Sequence, residues 1–170
     1  LHKDVQIHDV VLALLGDFIT NQIHGAENAE INQLQPTHAI AEAYNFIIAG
    51  LDFWLNHSDY TLHVVCKSGN HARTSMKTRF TSEEGHSLEY LMYVSLQSYY
   101  RAEPRVVFVL EPGIHSYLPI YDEVLRFHHG HAIKYQGGIG GITIPVNNAI
   151  GQWDQARRAT FDVFGHYHQY

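Results

Sequence analysis

The chain has 170 residues, of which 45% are hydrophobic and 16% are charged, and its formal net charge is −6. This length and composition predict one globular domain with a real core and argue against a disordered chain. The negative charge also argues against the basic surface of a general nucleic-acid binder. It does not exclude a phosphate-containing substrate, because bound cations can supply local positive charge.

The cysteine content and the termini set the expected cellular context. Cys66 is the single cysteine, so the chain has no disulfide framework, and no signal peptide is recognisable; both features predict a reducing, cytoplasmic location. The longest apolar stretches are too short to span a bilayer, so we expect no membrane association. The chain lacks an initial Met and stops directly after a histidine-rich segment. We therefore expect residues 1–170 to form one domain that is truncated at both ends.

The hydrophobic pattern predicts alternating strands and helices, and hence an α/β fold. A buried strand at 9–15 is followed by a polar loop and by a helix from Thr37 to about Asn56, in which apolar residues recur at helical spacing. The later predicted elements, in chain order, are a strand at 61–66, a helix at 87–100, strands at 105–110 and 123–128, a glycine-rich loop at 137–141, a polar helix near 147–158 and a strand at 160–164.

Four of the apolar runs end in residues that bind metal ions. The four segments are Gly16-Asp17, Gly69-Asn70-His71, His129-Gly130-His131 and Gly165-His166-Tyr167-His168. Ligands gather at the carboxyl ends of the strands in an open α/β sheet. Asp, Asn and His side chains that meet there suit a hard or borderline divalent cation. The sequence therefore predicts a metal-dependent hydrolase.

Each motif also has a simpler explanation. Asp17 could be a turn or helix-cap residue, and Asn70-His71 after a glycine suits a tight turn. Isolated histidines occur in cores and at surfaces, but two His-x-His pairs at strand ends are harder to explain in this way. Residues at i and i+2 of an extended segment lie on the same side. We therefore expect His166 and His168 to face one site.

In this order, Gly-Asp, Gly-Asn-His, His-Gly-His and Gly-His-x-His resemble the motifs of the calcineurin-like metallophosphoesterase superfamily, over residues 17–168. The similarity is greatest to the branch that includes DNA-repair exonucleases and small phage or bacterial phosphoesterases. It implies a four-layer α/β/β/α sandwich with a dinuclear metal centre.

The resemblance also implies a role for each matching residue. Asp17 would bridge both cations, and His168 would bind one of them. The other cation would be bound by Asp17 together with three further ligands: Asn70, His129 and His166. His71 would lie outside the metal shell and meet the scissile phosphate, as the catalytic residue.

The chain departs from the family pattern before Asp17. The family opens with an Asp-x-His motif on a first strand, and upstream of Asp17 only His8 and Asp9 come near it, in the wrong order. We expect this motif to precede residue 1, on a strand that the chain lacks. Asn21 stands where many members carry a second acidic residue, which in the family is not a direct metal ligand.

A basic segment lies around the second motif of this acidic chain: Lys67, Arg73, Lys77 and Arg79. Arg73 and Lys77 are candidates for holding substrate phosphates, since arginine binds them in bidentate geometry. This favours a phosphodiester, such as DNA or a nucleotide, over a monoester. A solvated loop that is balanced by Glu83 and Glu84 explains the same pattern equally well.

The expected function is therefore a phosphoester hydrolase, with a phosphodiesterase or nuclease preferred. Two divalent cations, Mn²⁺ by ligand type or else Mg²⁺, Fe or Zn²⁺, would generate a hydroxide for in-line attack on phosphorus. His71 would stabilise the transition state or protonate the leaving oxygen. The alternatives are a phosphomonoesterase or protein phosphatase, and, less favoured, a non-catalytic scaffold of the same fold. The sequence does not predict the oligomeric state.

Overall fold

The computed structural model describes residues 6–168 except 22, 24, 26–31, 136 and 139. Within these residues the protein is a mixed α/β structure with two three-stranded sheets and three α-helices. The first sheet contains β1 (Asp9–Leu14), β2 (Thr61–Cys66) and β3 (Val106–Val109), and the second contains β4 (Ser116–Ile120), β5 (Glu123–His128) and β6 (Phe161–Phe164). The helices are α1 (Pro36–His57), α2 (Leu88–Tyr99) and α3 (Thr143–Trp153), and a 3₁₀ turn spans Glu83–His86.

The first sheet is parallel, in the order β1-β2-β3. β2 lies at its centre, where Val64, Val65 and Cys66 are completely buried. The predicted strand at 9–15 is confirmed as β1, but its predicted burial is wrong, because only Leu14 of this strand is buried. In the described part of the chain β1 pairs with β2 alone, so it forms an edge of the sheet.

Helices α1 and α2 pack together with the first sheet to form the core. Pro36 occupies the first turn of α1, and Ala43, Ile47 and Leu51 bury one face of it. The Ser87 hydroxyl caps α2 by accepting a hydrogen bond from the N–H of Tyr90 at 3.3 Å. Both predicted helices are confirmed. None of the helices in the described ranges has both the length and the hydropathy that a bilayer crossing requires.

The second sheet contains one strand, β4, that the sequence pattern did not predict. β4 and β5 form an antiparallel pair, and β5 runs parallel to β6. The pattern missed β4 because Pro119 interrupts it, although an edge strand tolerates proline. α3 begins at Thr143, four residues before the predicted start, because Pro145 falls in the first turn, where its missing N–H costs no hydrogen bond.

A buried ion pair joins β5 to β6. Arg126 is completely buried and donates to both carboxylate oxygens of Asp162, at 2.6 Å from Nε and 2.9 Å from Nη2. Asp154 lies 3.1 Å from Nη2, and the carbonyl of Arg157 accepts from Nη1. Arg126 and Asp162 are also register partners in the sheet. The pair therefore fixes the alignment of the two strands that lead into His129 and His166.

The Arg126–Asp162 pair predicts a stability that depends on pH. Burial raises the pKa of Asp162, but His128 and Arg126 outweigh it and lower this pKa from its ordinary 3.8 to about 2. The pair's contribution is therefore complete above pH 3.8 and is lost as the pH falls through 2. Asp162→Asn should lower the free energy of unfolding by about 3 kcal/mol at pH 7, because it leaves a buried guanidinium poorly paired.

Urea denaturation of both proteins between about pH 7 and pH 2 measures this difference, which should shrink toward zero at the acid end. Glu123→Gln is the control, since Glu123 is an exposed carboxylate at the start of β5. The free energy of unfolding of Asp162→Asn could instead differ from that of the unaltered protein by the same amount at every pH. That result would show that Asp162 stabilises the sheets by packing and not by charge.

Candidate metal centre

Two glycines let the loops that carry Asp17 and Asn70 touch. Gly16 has a φ of +88°, and a Cβ on it would lie 2.0 Å from the backbone N of Gly69. A Cβ on Gly69 would lie 2.1 Å from Oδ1 of Asp17. No L-residue with a side chain fits either position without displacing the other loop. The Gly-Asp and Gly-Asn-His motifs are thus two halves of one backbone contact.

The structure brings together four of the five predicted metal ligands. Nε2 of His129 lies 3.1 Å from each of three other ligand atoms: Oδ2 of Asp17, Oδ1 of Asn70 and Nδ1 of His166. The ligand atoms of Asp17, His129 and His166 all lie within 4.8 Å of one another. Each residue follows the end of a different strand, as the sequence predicts.

The hydrogen bond on the far side of the His129 ring decides what this cluster can bind. Nδ1 of His129 lies 2.6 Å from the carbonyl oxygen of Leu15, which can only accept, so Nδ1 carries the hydrogen. In the neutral ring Nε2 then presents a lone pair to the oxygens of Asp17 and Asn70 and to Nδ1 of His166. Lone pairs that converge in this way repel one another unless a cation or a proton lies between them, and Asp17 raises the pKa of His129 against the effect of burial.

The spacing of the cluster fits a divalent cation. With bonds of about 2.1–2.2 Å, neighbouring ligands of an octahedral cation lie about 3.0–3.1 Å apart, and the three distances from Nε2 of His129 are 3.1 Å. A proton on Nε2 can point at only one of its three neighbours. The mixed nitrogen and oxygen ligands suit a borderline metal such as Mn²⁺, Fe or Zn²⁺.

The charges of the ligands also suit a cation. Burial raises the pKa of Asp17, but the hydrogen bond and charge of His129 and the N–H of His71 outweigh it and lower this pKa to about 2. Burial and the charge of His129 lower the pKa of His166. Asp17 is therefore ionised and His166 neutral at pH 7, the forms in which these side chains bind metals. Against the effect of burial, Asp17 raises the pKa of His129, so a cation would have to displace a proton from this ring.

His71 lies beside the cluster. Its N–H donates to Oδ1 of Asp17 at 3.1 Å, and its ring Nδ1 lies 3.1 Å from the carbonyl oxygen of Thr20. Nε2 is 3.9 Å from Oδ2 of Asp17, and a third of the side chain is exposed. This position, next to the cluster and open to solvent, suits the role that the sequence predicts for His71.

The geometry expected for the last motif is wrong. His166 and His168 have φ values of +71° and +52°, so the segment is not extended and the i, i+2 rule does not apply. His166 joins the cluster, whereas His168 is exposed and is not among the clustered ligand atoms in the described part of the chain. His131, the other member of a His-x-His pair, is buried, and burial lowers its pKa to about 3.

The basic segment is smaller than predicted. Lys67 is 4% exposed, and its Nζ donates to three backbone carbonyls: Glu111, Gly113 and His115. Burial lowers the pKa of Lys67 to about 8. Glu83, expected in a solvated loop, is also buried. Arg73 lies beside the cluster, since its guanidinium donates to the carbonyl of Asn70, and Lys77 is exposed on the following loop.

Sequence reasoning missed Glu89, a completely buried residue in the first turn of α2. Its Oε1 accepts from the N–H of Phe18 at 2.6 Å, and its Oε2 accepts from the N–H of Gly69 at 2.7 Å. One carboxylate thus holds the residues adjacent to both Asp17 and Asn70. An acidic residue in the first turn of a helix ordinarily complements the helix dipole, so the sequence carries no signal of this second role.

Comparisons with protein-family models, with curated proteins and with solved structures gave no match. The chemistry of the site follows from its geometry alone. One carboxylate, one amide oxygen and two imidazoles meet at the ends of four strands, next to an imidazole that faces solvent. This arrangement can bind a divalent cation and place a proton donor or acceptor beside it.

Gly69→Ala should weaken metal binding strongly without unfolding the protein. The added methyl group would overlap Oδ1 and the backbone N of Asp17, so the Asp17 loop must move away from Asn70. We expect Mn²⁺ affinity measured by calorimetry to fall at least about 100-fold. Gly151→Ala is the control, since its Cβ would meet nothing within 4 Å. Unchanged affinity in Gly69→Ala would show that the two loops need not touch.

Glu89→Gln should weaken metal binding with only a moderate loss of stability. Glutamine keeps the shape of the side chain, but its NH₂ group cannot accept a hydrogen bond. One of the two N–H groups that now donate to Glu89, that of Phe18 or that of Gly69, would therefore lose its acceptor. We expect a loss of about 1–3 kcal/mol in unfolding free energy and a 10- to 100-fold loss, in order of magnitude, of Mn²⁺ affinity. Chemical denaturation and calorimetry measure the two effects.

Glu84→Gln is the matched control, because Glu84 is a less buried acid five residues earlier. A Glu89→Gln protein that loses stability but binds Mn²⁺ normally would show that Glu89 supports the fold and not the ligand loops.

Proposed function

We propose that the protein is a metal-dependent phosphoester hydrolase of the calcineurin-like metallophosphoesterase type, built on a four-layer α/β/β/α sandwich. One observation carries the proposal: ligand atoms of Asp17, Asn70 and His166 each lie 3.1 Å from Nε2 of His129. The resemblance to the metallophosphoesterase motifs assigns these four residues to one metal site. Their spacing, the ionised Asp17 and the neutral His166 support this assignment.

The resemblance implies two cation sites, and the four clustered residues form one of them. Asp17, Asn70, His129 and His166 would hold one cation, Mn²⁺ by ligand type, with Mg²⁺, Fe or Zn²⁺ as alternatives. By the resemblance, a second cation would use Asp17, His168 and an Asp-x-His pair, and the sequence contains no Asp-x-His. When bound, such cations polarise the phosphoryl group and lower the pKa of a water molecule.

His71 is the proposed catalytic residue. Its Nδ1–H donates to the carbonyl of Thr20, which fixes the ring and turns Nε2 toward the side of Asp17. A protonated Nε2 at this position can donate a hydrogen bond to a phosphoryl oxygen or give its proton to the leaving oxygen. His71 is not among the clustered ligand atoms of the described residues, which supports a role beside the metal ligands.

We propose a phosphodiester substrate, such as DNA or a nucleotide. Arg73 is held beside Asn70, where its guanidinium can meet a phosphate at the metal centre, and Lys77 is exposed further along the loop, where it can meet a second phosphate. One observation favours the phosphomonoesterase alternative: Lys67 is buried and unable to contact substrate, which weakens the basic segment.

Metal binding and hydrolysis in matched variants test the proposal. In calorimetry we expect about one tightly bound Mn²⁺ per chain, lost in His129→Ala and retained in His71→Ala. Mn²⁺-dependent hydrolysis of bis-p-nitrophenyl phosphate should fall about 100-fold in turnover in His71→Ala, the effect of removing a general acid. His38→Ala, an exposed histidine on α1, should change neither quantity.

Three outcomes would contradict different parts of the proposal: the role of His71, the substrate class and the hydrolase activity itself. Loss of Mn²⁺ in His71→Ala would make His71 a metal ligand. Faster hydrolysis of p-nitrophenyl phosphate than of the diester or of single-stranded DNA would favour the monoesterase alternative. If the Mn²⁺-saturated protein hydrolyses none of the three substrates, the hydrolase proposal is wrong.

A further inference from the structure

Helix α1 is apolar on two opposite faces. Its inner face packs into the core through Ala43, Ile47 and Leu51. On the outer face Phe46 is 76% exposed and Phe53 is 61% exposed. The 22 residues of α1 include two acidic residues and no Lys or Arg. A surface helix normally carries charged residues on its outer face, and a helix that is apolar all round is normally buried.

The exposed residues form one continuous stripe. Successive residues of a helix are rotated by about 100°, so residues at steps of three and four share a face. Six exposed residues lie within one arc of about 100° by this rule, and we name them the outer stripe: Glu42, Phe46, Ala49, Gly50, Phe53 and His57. The stripe lies on the side of α1 opposite its core face.

The outer stripe is symmetric about its own midpoint. The midpoint falls between Ala49 and Gly50, the small residues, and Phe46 and Phe53 lie at equal distances on either side of it. Glu42 and His57 lie at equal distances further out, one acidic and one basic. A second copy of α1, placed antiparallel across this midpoint, would meet Phe46 with its Phe53 and Glu42 with its His57.

We propose that the outer stripe is a homodimer interface, in which two copies of α1 pack antiparallel about a twofold axis at Ala49 and Gly50. The small central pair lets the two helix axes approach to about 8 Å, the close end of the usual range. The phenylalanines then fill the space on each side of the axis. A twofold interface uses the same patch on both copies, which requires the self-complementarity that the stripe has.

The size of the stripe indicates a dimer of low affinity. The four phenyl rings of two copies would bury an area on the order of 500 Å², from their size and exposure. Leu34 and Phe18, 44% and 39% exposed beside Phe46, can enlarge the contact. Stable interfaces begin at about 1,200 Å² in total, so we expect a weak dimer with a dissociation constant on the order of 100 µM.

Sedimentation velocity of the purified chain from about 1 to 200 µM tests the dimer, a range that brackets this dissociation constant. The expected result is a shift from monomer to dimer with increasing concentration. Phe46→Glu and Phe53→Glu should each remain monomeric at every concentration, with an unchanged circular dichroism spectrum. Tyr121→Glu is the control, since Tyr121 is completely exposed in the turn between β4 and β5, away from α1.

Cysteine cross-linking tests the antiparallel arrangement and does not rely on the glutamate variants folding. A mixture of Phe46→Cys and Phe53→Cys proteins should form a disulfide between the two variants, and each variant alone should not. Cys66 does not compete, because it is completely buried. A Phe46→Cys protein that links to itself would overturn the antiparallel arrangement.

Two results would overturn the dimer itself. One is a chain that stays monomeric at the highest concentration, which would leave the outer stripe for a different occupant. The other is a dimer that persists unchanged in Phe53→Glu, which would place the interface elsewhere. Neither result bears on the metal centre, because none of its ligands lies on α1.

Discussion

The hydrogen bond from His129 to the carbonyl oxygen of Leu15 connects the two sheets at the metal centre. Leu15 directly follows β1 of the first sheet, and His129 directly follows β5 of the second. The bond fixes the orientation of the imidazole and its tautomer at once, so Nε2 faces Asp17, Asn70 and His166. The ability of this cluster to bind a cation therefore depends on how the two sheets are placed.

Buried charged groups hold the backbone around the site. Glu89 holds the N–H groups of Phe18 and Gly69, Lys67 holds the carbonyls of residues 111, 113 and 115, and Arg126 joins the last two strands. Each charge is expensive to bury, and its hydrogen bonds offset that cost. A half-satisfied group of this kind would destabilise the fold, so these contacts constrain the backbone strongly.

The burial of Glu89 lowers the free energy of unfolding at neutral pH. Burial raises its pKa to about 7, while its bonds to Gly69 and Phe18 act in the opposite direction. Because the folded-state pKa lies above the ordinary value of 4.5, the folded protein binds the extra proton, and the stability that Glu89 contributes decreases as the pH rises from 4.5 through 7. The carboxylate form accepts both N–H groups, so the form that best positions the ligand loops is also the one that burial disfavours.

The 14 histidines of the chain serve at least two physical roles. His129 and His166 face an ionised carboxylate, and Asp17 raises the pKa of His129 against the effect of burial. His131 and His115 are neutral, because burial lowers their pKa values to about 3 and about 4. They pack as aromatic rings against Phe80 and Trp153, respectively. A histidine count alone therefore overstates the number of metal ligands.

The sequence by itself determined the order of most strands and helices and four residues of the candidate metal site. Periodicity identifies these elements because it depends on neighbours within a few residues, and strand ends identify Asp17, Asn70, His129 and His166 because parallel strands deliver their ends to one edge. The tertiary structure alone decided the role of Glu89, which binds the N–H of Phe18, 71 residues away. It also decided the burial of Lys67 and the left-handed backbone that separates His168 from His166. These features depend on contacts between distant segments and on local backbone angles, which a linear pattern of residue types does not encode.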